Sequence, residues 1–298
     1  MKPISRREFV IATTAIPFAA PAILQSRAAP TAQELVDRIK QKLGVDWKAD
    51  GADTFKAGDP MTSVKGIAVS AMATLDVLKQ AVKAGANFVV TSEPTFYSKA
   101  DTAAPAGGRR GTPAAPDPIF TAKNEYIKSN QLVIWRFSDH WRQRTPDPST
   151  VALADALGWG KLRAADDARR FTITNTKLDT LASDLKKKLN SRGGIRVVGD
   201  PNLNVAKIGL LPGTTAVQSA LGLFPLVDAI IAGEVREWES VELARDKVSA
   251  GERKSLILIG RVVSENPGMN ECAKWLKDVV PEVRTTWIPT DDPYWRPA

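Results

Sequence analysis

Glu93, His140 and Glu265 each lie just beyond the end of a predicted strand. In α/β sheets, sites form outside the carboxyl ends of strands, so residues from distant segments can converge there. Asp139, Glu234 and Glu237 follow strands in the same way. Carboxylates with one imidazole suit a divalent transition metal such as Fe, Mn or Zn. His140 is the only histidine and Cys272 the only cysteine. A multi-histidine centre, a cysteine-rich metal site and an internal disulfide are therefore excluded. Taken singly, each residue has a plainer reading. A glutamate after a strand is usually a turn or cap residue, and a lone histidine is usually structural.

Weaker candidates surround these. Gly213 and Thr214 sit at a predicted helix start, where backbone N–H groups could meet an anion. An ordinary strand-to-helix turn explains them as well. Cys272 shares a helix face with Met269, Trp275, Leu276 and Val279, which reads as core packing. Trp141, Trp238, Trp287 and Trp295 could line a pocket or an oligomer interface. No Ser-His-Asp order and no phosphate-loop motif is present.

The elements that must position these residues alternate between strand and helix. "TAQELVDRIKQKLG" has a capping box in Thr31 and Glu34, an apolar face of Leu35, Ile39 and Leu43, and a stop at Gly44. "VKGIAVSA" is a strand, Thr74 opens a helix ending at Gly85, and "NFVV" is a strand reaching Ser92-Glu93-Pro94. Pro94 ends the ladder because it has no N–H. Strand, helix and strand make a right-handed parallel crossover. Residues 98–118, rich in Pro, Gly and Ala, read as a flexible insertion. The helix "PIFTAKNEYIKSN" and the strand "QLVIWRF" then lead to Asp139 and His140. A second series follows: strands "RFTIT", "IRVVG", "AKIGLLPG", "VDAIIAG", "SLILIG" and "VRTTWI", with helices at 177–190 and 267–279 among them. The expected organisation is two α/β lobes, residues 31–165 and 166–298.

The first residues stand apart. Arg6-Arg7 precede an apolar segment, Phe9 to Leu24, that Pro17 and Pro21 interrupt and that is too short to span a membrane. Small residues at 26–28 suit cleavage after Ala28. Residues 1–28 resemble a twin-arginine export signal, which implies the twin-arginine export machinery as a partner, a periplasmic location and no stable membrane anchor. Four basic residues and Glu8 leave with the signal, so +5 of the full chain's +8 remains. That mild balance favours anionic small ligands and gives little support for nucleic acid. The densest basic run, "DLKKKLNSRGG", is the polar face of a helix with Leu178, Leu181, Leu185 and Leu189 opposite.

The order of several segments carries a resemblance. "VKGIAVSAMATLDVLKQAVKAGANFVVTSEPTFYS", "LADALGW", "AKIGLLPGTTA", "IIAGEVREWE", "LILIGRVVSENPGMNECAKWL" and "IPTDDPYW" are spaced along residues 35–298. In that order they resemble the Nif-three-like dinuclear metal centre family, also catalogued as GTP cyclohydrolase type 2 homologues. The resemblance implies two α/β lobes with the site in the cleft between them, a toroidal homo-oligomer that is often a hexamer, and a metal-dependent hydrolase of a small molecule.

The departures fall on the metal ligands. The family's His-His pair is Ser92-Glu93 here. His140 matches, but the bridging Asp falls near Arg144. The last histidine is Arg261, and Glu265 matches. Asp147 could replace the missing Asp only through a loop shift. Three arrangements stay open. One metal sits on Glu93, His140 and Glu265, with Glu93 or Glu265 moving a proton. Or no metal binds, and Arg261 neutralises the carboxylates and reads an anionic ligand beside Ser92 and Glu234. Or two metals use other ligands. Replacing Arg6 and Arg7 by lysine is expected to leave unprocessed precursor in the cytoplasm, read by fractionation. Unchanged export of that double variant would contradict the twin-arginine route.

Overall fold

The structure, a computed structural model, describes residues 29–98, 101, 117–295 and 297. The expected signal, 1–28, and most of the expected insertion, 98–118, lie outside them. Helix α1 (Ala32–Leu43) carries the expected capping box: Thr31 Oγ1 accepts from Glu34 N–H, and Glu34 accepts from Thr31 N–H. Strands β1 (Phe55–Ala57), β2 (Ile67–Ser70), β3 (Phe88–Thr91) and β4 (Val133–Arg136) follow, with α2 (Leu75–Lys83) and α3 (Pro118–Ser129) between them. Strands β2, β3 and β4 run parallel, and β1 is an antiparallel edge. Strand β1 is too short and too little apolar to stand out in the sequence.

The parallel strands are buried on both faces, which is why they read as continuous apolar runs. Alternation decides which layer each residue joins. Ile67, Val69, Phe88, Val90 and Trp135 meet α1 on one face. Ala68, Val89 and Ile134 meet α2 and α3 on the other.

Helices α4 (Asp139–Arg142) and α5 (Pro148–Ala156) connect to the second sheet. It contains β5 (Arg170–Lys177), β6 (Arg196–Val198), β7 (Asn204–Thr214), β8 (Ala229–Glu234) and β9 (Ser255–Leu258), in the order β5-β7-β8-β9-β6. Strands β7, β8 and β9 are parallel, with β5 and β6 antiparallel at the edges. Helices α5 and α6 (Leu178–Lys188) cover one face through Leu153, Leu157, Leu181 and Leu185. Helices α7 (Val217–Leu223) and α8 (Glu242–Ser249) cover the other through Leu223 and Ala244.

Two expectations are corrected here. Helix α9 spans Arg261–Val279, so it starts six residues before the expected 267. Pro267 lies inside it, and Gly268 lets Ser149 of α5 approach closely. The second correction concerns the lobes. Residues 166–298 do not form one unit, because α9 places Met269, Cys272 and Leu276 in the core of the first sheet. Strand β10 (Thr285–Trp287) then pairs in parallel with β2. The chain thus returns to its first lobe, and α9 spans the junction.

The end of β4 is held by a buried clasp. Asp53 Oδ1 accepts the N–H groups of Ser138 (2.7 Å) and Asp139 (3.1 Å), and Oδ2 accepts His140 N–H (2.8 Å). His140 Nδ1 donates to the same oxygen at 2.8 Å, and Nε2 accepts Lys48 N–H at 2.9 Å. A carboxylate accepts only and a backbone N–H donates only, so the ring is the Nδ1–H tautomer. Trp47 stacks on it at 3.7 Å. Trp135, Phe137, Trp141 and Trp275 continue the aromatic packing, each such pair contributing about 0.5–1.5 kcal/mol. His140→Ala would leave Asp53 and Lys48 N–H underpaired and open a cavity. A loss of about 2–4 kcal/mol is expected from urea unfolding; wild-type stability in that variant would refute a structural role for His140.

Candidate functional site

The carboxyl ends of the parallel strands in both sheets meet at α9. After β3 the chain turns at Ser92-Glu93, and three donors pin the turn to the Ala71 carbonyl: Thr91 Oγ1 (3.0 Å), Ser92 Oγ (3.1 Å) and Glu93 N–H (3.0 Å). Pro94 contributes no N–H, so the ladder stops there. Ser92 and Glu93 are buried. From the second sheet, β7 arrives at Gly213, whose N–H donates to Ser264 Oγ at 2.9 Å. Gly213 has φ +76, and a Cβ there would meet Glu265 Oε1 at 2.6 Å and Arg142 Nη1 at 3.0 Å. Only glycine lets the β7 backbone come this close to the site.

Arg261 opens α9, and Glu265 follows one turn later on the same face. The Arg261 guanidinium is ion-paired with Glu93 through Nη2, and its Nη1 lies 3.5 Å from Glu234 Oε2 at the end of β8. Partial burial opposes its charge, but Glu93 and then Glu265 and Glu234 outweigh that, so its pKa is raised. Arg261 Nε is buried without a hydrogen-bond partner among the described residues.

Glu265 is the opposite case. Burial is the main cause that pushes its pKa well above the usual 4.5, and neighbouring Glu93 adds to this by charge and by a hydrogen bond. Arg261 and Arg142 pull the other way without reversing it. Ser92 Oγ lies 3.2 Å from Glu265 Oε2. The result is an acid–carboxylate pair, with Glu93 matched to a cation and Glu265 favouring the neutral form.

A cavity of about 410 Å³ opens on this pair, lined by Glu93, Glu265, Arg136, Asp139, Arg142 and Arg261. Arg136 and Arg142 went unnoticed in the sequence; Arg136 is the last residue of β4, a position the strand pattern itself marks. Arg136 Nε donates to the Ser92 carbonyl at 3.1 Å, and no carboxylate lies within ion-pair reach among the described residues. Arg142 Nε and Nη2 donate to Asp147 Oδ2 at 3.3 and 3.2 Å.

Glu93, Glu265, Arg261, Ser92 and Glu234 are therefore brought together, whereas His140 is not. Its expected role as a metal ligand is corrected, because Asp53 and Lys48 engage both ring nitrogens. Asp147 is no replacement ligand, since it caps α5 through Ser149 N–H (2.9 Å) and holds Arg142. Glu237 pairs with Arg196 on the surface. Gly213 offers no free amide to an anion. Cys272 is buried in the core, and burial pushes its thiol up. Trp141 is buried, while Trp238 and Trp295 are exposed.

The side chains do not fit a metal ion. Among the described residues no three His, Cys, Asp or Glu side chains cluster to hold one. The fixed cation of Arg261 lies against Glu93 and repels a dication.

The raised pKa of Glu265 sets a pH dependence. Both states are protonated below 4.5, and stability falls as pH rises from there through the folded value. Glu265→Gln mimics the neutral form and lacks this fall. Its thermal midpoint should approach the parent's at pH 4 and exceed it increasingly towards pH 8. Parallel curves for the two proteins would show that Glu265 ionises as in water.

The sequence matches no family profile and no curated protein. Among solved structures, the chain is similar to the hypothetical protein SA1388 of Staphylococcus aureus, with TM-score 0.70 and 14% identity over 90% of this chain and 99% of that one. A Bacillus cereus protein related to NIF3 gives TM-score 0.68 and 12% identity, over 90% and 99%. HcgD of Methanocaldococcus jannaschii gives 0.58 and 15%, over 87% and 98%. At these identities the likeness concerns backbone architecture: the chain has the α/β fold of NIF3-related proteins, with two mixed sheets.

Proposed function

We propose that this chain is an exported NIF3-related protein whose cleft binds a small anionic molecule through arginine side chains, where the family holds two metal ions. The observation that carries this is Arg261 at the start of α9, ion-paired with Glu93 and directed to Glu234. A permanent cation takes over the neutralisation of Glu93 that a metal would perform. Arg136 supplies the charge for the ligand, because Glu93 occupies Arg261 and Asp147 occupies Arg142. Glu265 in its neutral form shares its proton with Glu93 and leaves the cavity with a positive balance.

The alternative, a metal-dependent hydrolase with Fe, Mn or Zn activating a water, needs donors that the cleft does not supply. Glu93 and Glu265 act in this reading as ligand-orienting groups. Export is supported by Arg6-Arg7 ahead of an apolar segment. Assembly as a homo-oligomer is supported by exposed Leu221, Leu226 and Trp238. No helix among the described residues is long and apolar enough to cross a membrane.

Calorimetric titration with inorganic phosphate at low salt is expected to give saturable binding that weakens with ionic strength. Arg136→Gln should lower the affinity by about tenfold or more, as losing a charge-assisted hydrogen bond does. An affinity untouched by that substitution would place the anion elsewhere, and absence of binding would refute the reading.

A further inference from the structure

Arg261 lines two cavities. One is the arginine cavity. The other is larger, about 550 Å³, with an apolar wall of Met72, Leu258, Val262 and Val263 and a rim of Tyr294 and Trp295. Its size is that of a site for a small organic molecule. Tyr294 and Trp295 are 69% and 71% exposed, so two large aromatic faces stand at its mouth. The rim is held in place: Asp292 accepts Gly193 N–H at 2.9 Å and Tyr294 N–H at 3.2 Å. The charged groups of this cavity are already matched. Arg196 pairs with Glu237, Glu234 faces Arg261, and Asp292 serves the backbone. A ligand's polar group therefore finds its partner in the arginine cavity, and an apolar group finds its partners here.

We propose that the two cavities form one composite site for an amphipathic organic anion, with its acidic group at Arg136 and its aromatic or alkyl body against Val262, Val263 and Trp295. This rests on the anion-binding reading of the cleft and names the class of ligand. Arg261 stands at the junction, where its guanidinium plane can lie along an aromatic ring as well as beside an acid.

Titration of the mature protein with inorganic phosphate, butyrate, 4-phenylbutyrate and neutral 4-phenylbutyramide tests it. The expected order is 4-phenylbutyrate tightest, at least tenfold tighter than butyrate, with the amide at least tenfold weaker than its acid. Trp295→Ala, at an exposed position that folding does not need, should bring 4-phenylbutyrate towards butyrate. Equal affinity for butyrate and 4-phenylbutyrate overturns the composite site while phosphate binding keeps the anion reading intact. Equal affinity for the acid and its amide overturns it too, because the apolar cavity would then act alone. Failure of every probe, phosphate included, overturns both readings.

Discussion

The pairing of Arg261 with Glu93 ties the two halves of this molecule at one point. Glu93 ends β3 in the first sheet, and Arg261 starts α9 after β9 of the second. Both lie near Glu265, whose carboxyl is buried as well. Two ionised carboxylates this close in a poorly solvated cleft repel strongly, by about 4 kcal/mol at 4 Å for an effective dielectric near 20. Arg261 is held by Glu93 and Arg142 by Asp147, so neither cation is free to balance Glu265. The charge arrangement resolves the conflict by matching Glu93 to Arg261 and shifting Glu265 towards neutrality. Removing Arg261 would leave the buried Glu93 without its cation, which in comparable sites is destabilising by about 3–5 kcal/mol.

The rest of the fold serves this junction. Helix α9 contributes Arg261 and Glu265 at its first turns and then buries Met269, Cys272 and Leu276 in the core of the first sheet. Gly213 and Gly233 remove the side chains that would keep β7 and β8 away from it, since a Cβ at Gly233 would collide with Ser264 Oγ. Asp53 and His140 fix the start of α4, so that Arg142 reaches the cleft from a rigid base. The residue that resembles a metal ligand by type and position thus works one layer behind the site.

Strand runs such as "FVVT" and "IAVS" were legible because parallel strands buried on both faces must be apolar throughout. The rule that strand ends in α/β sheets point into one crevice put Glu93, His140 and Glu265 together, with Glu234 beside them; Glu93, Glu265 and Glu234 do meet, and His140 does not. The role of His140 was not, because the Asp53 partner lies 87 residues away and nothing local announces it. Pro267 misplaced the start of α9, since a proline inside a helix resembles one at its first turn. The return of β10 to the first sheet depends on register across a distance of more than 200 residues, which periodicity does not encode. Arg136 and Arg142 look like ordinary surface charges until the two sheets bring their edges together.

The central proposal is that the fixed cation of Arg261, rather than a metal ion, neutralises Glu93 in this cleft. Elemental analysis of the protein, purified without chelator from cells supplied with iron, manganese and zinc, tests it most directly. The account predicts metal far below one equivalent per chain after dialysis. One or two equivalents of any of these metals, retained through dialysis and lost on substitution of Glu93 or Glu265, would contradict it.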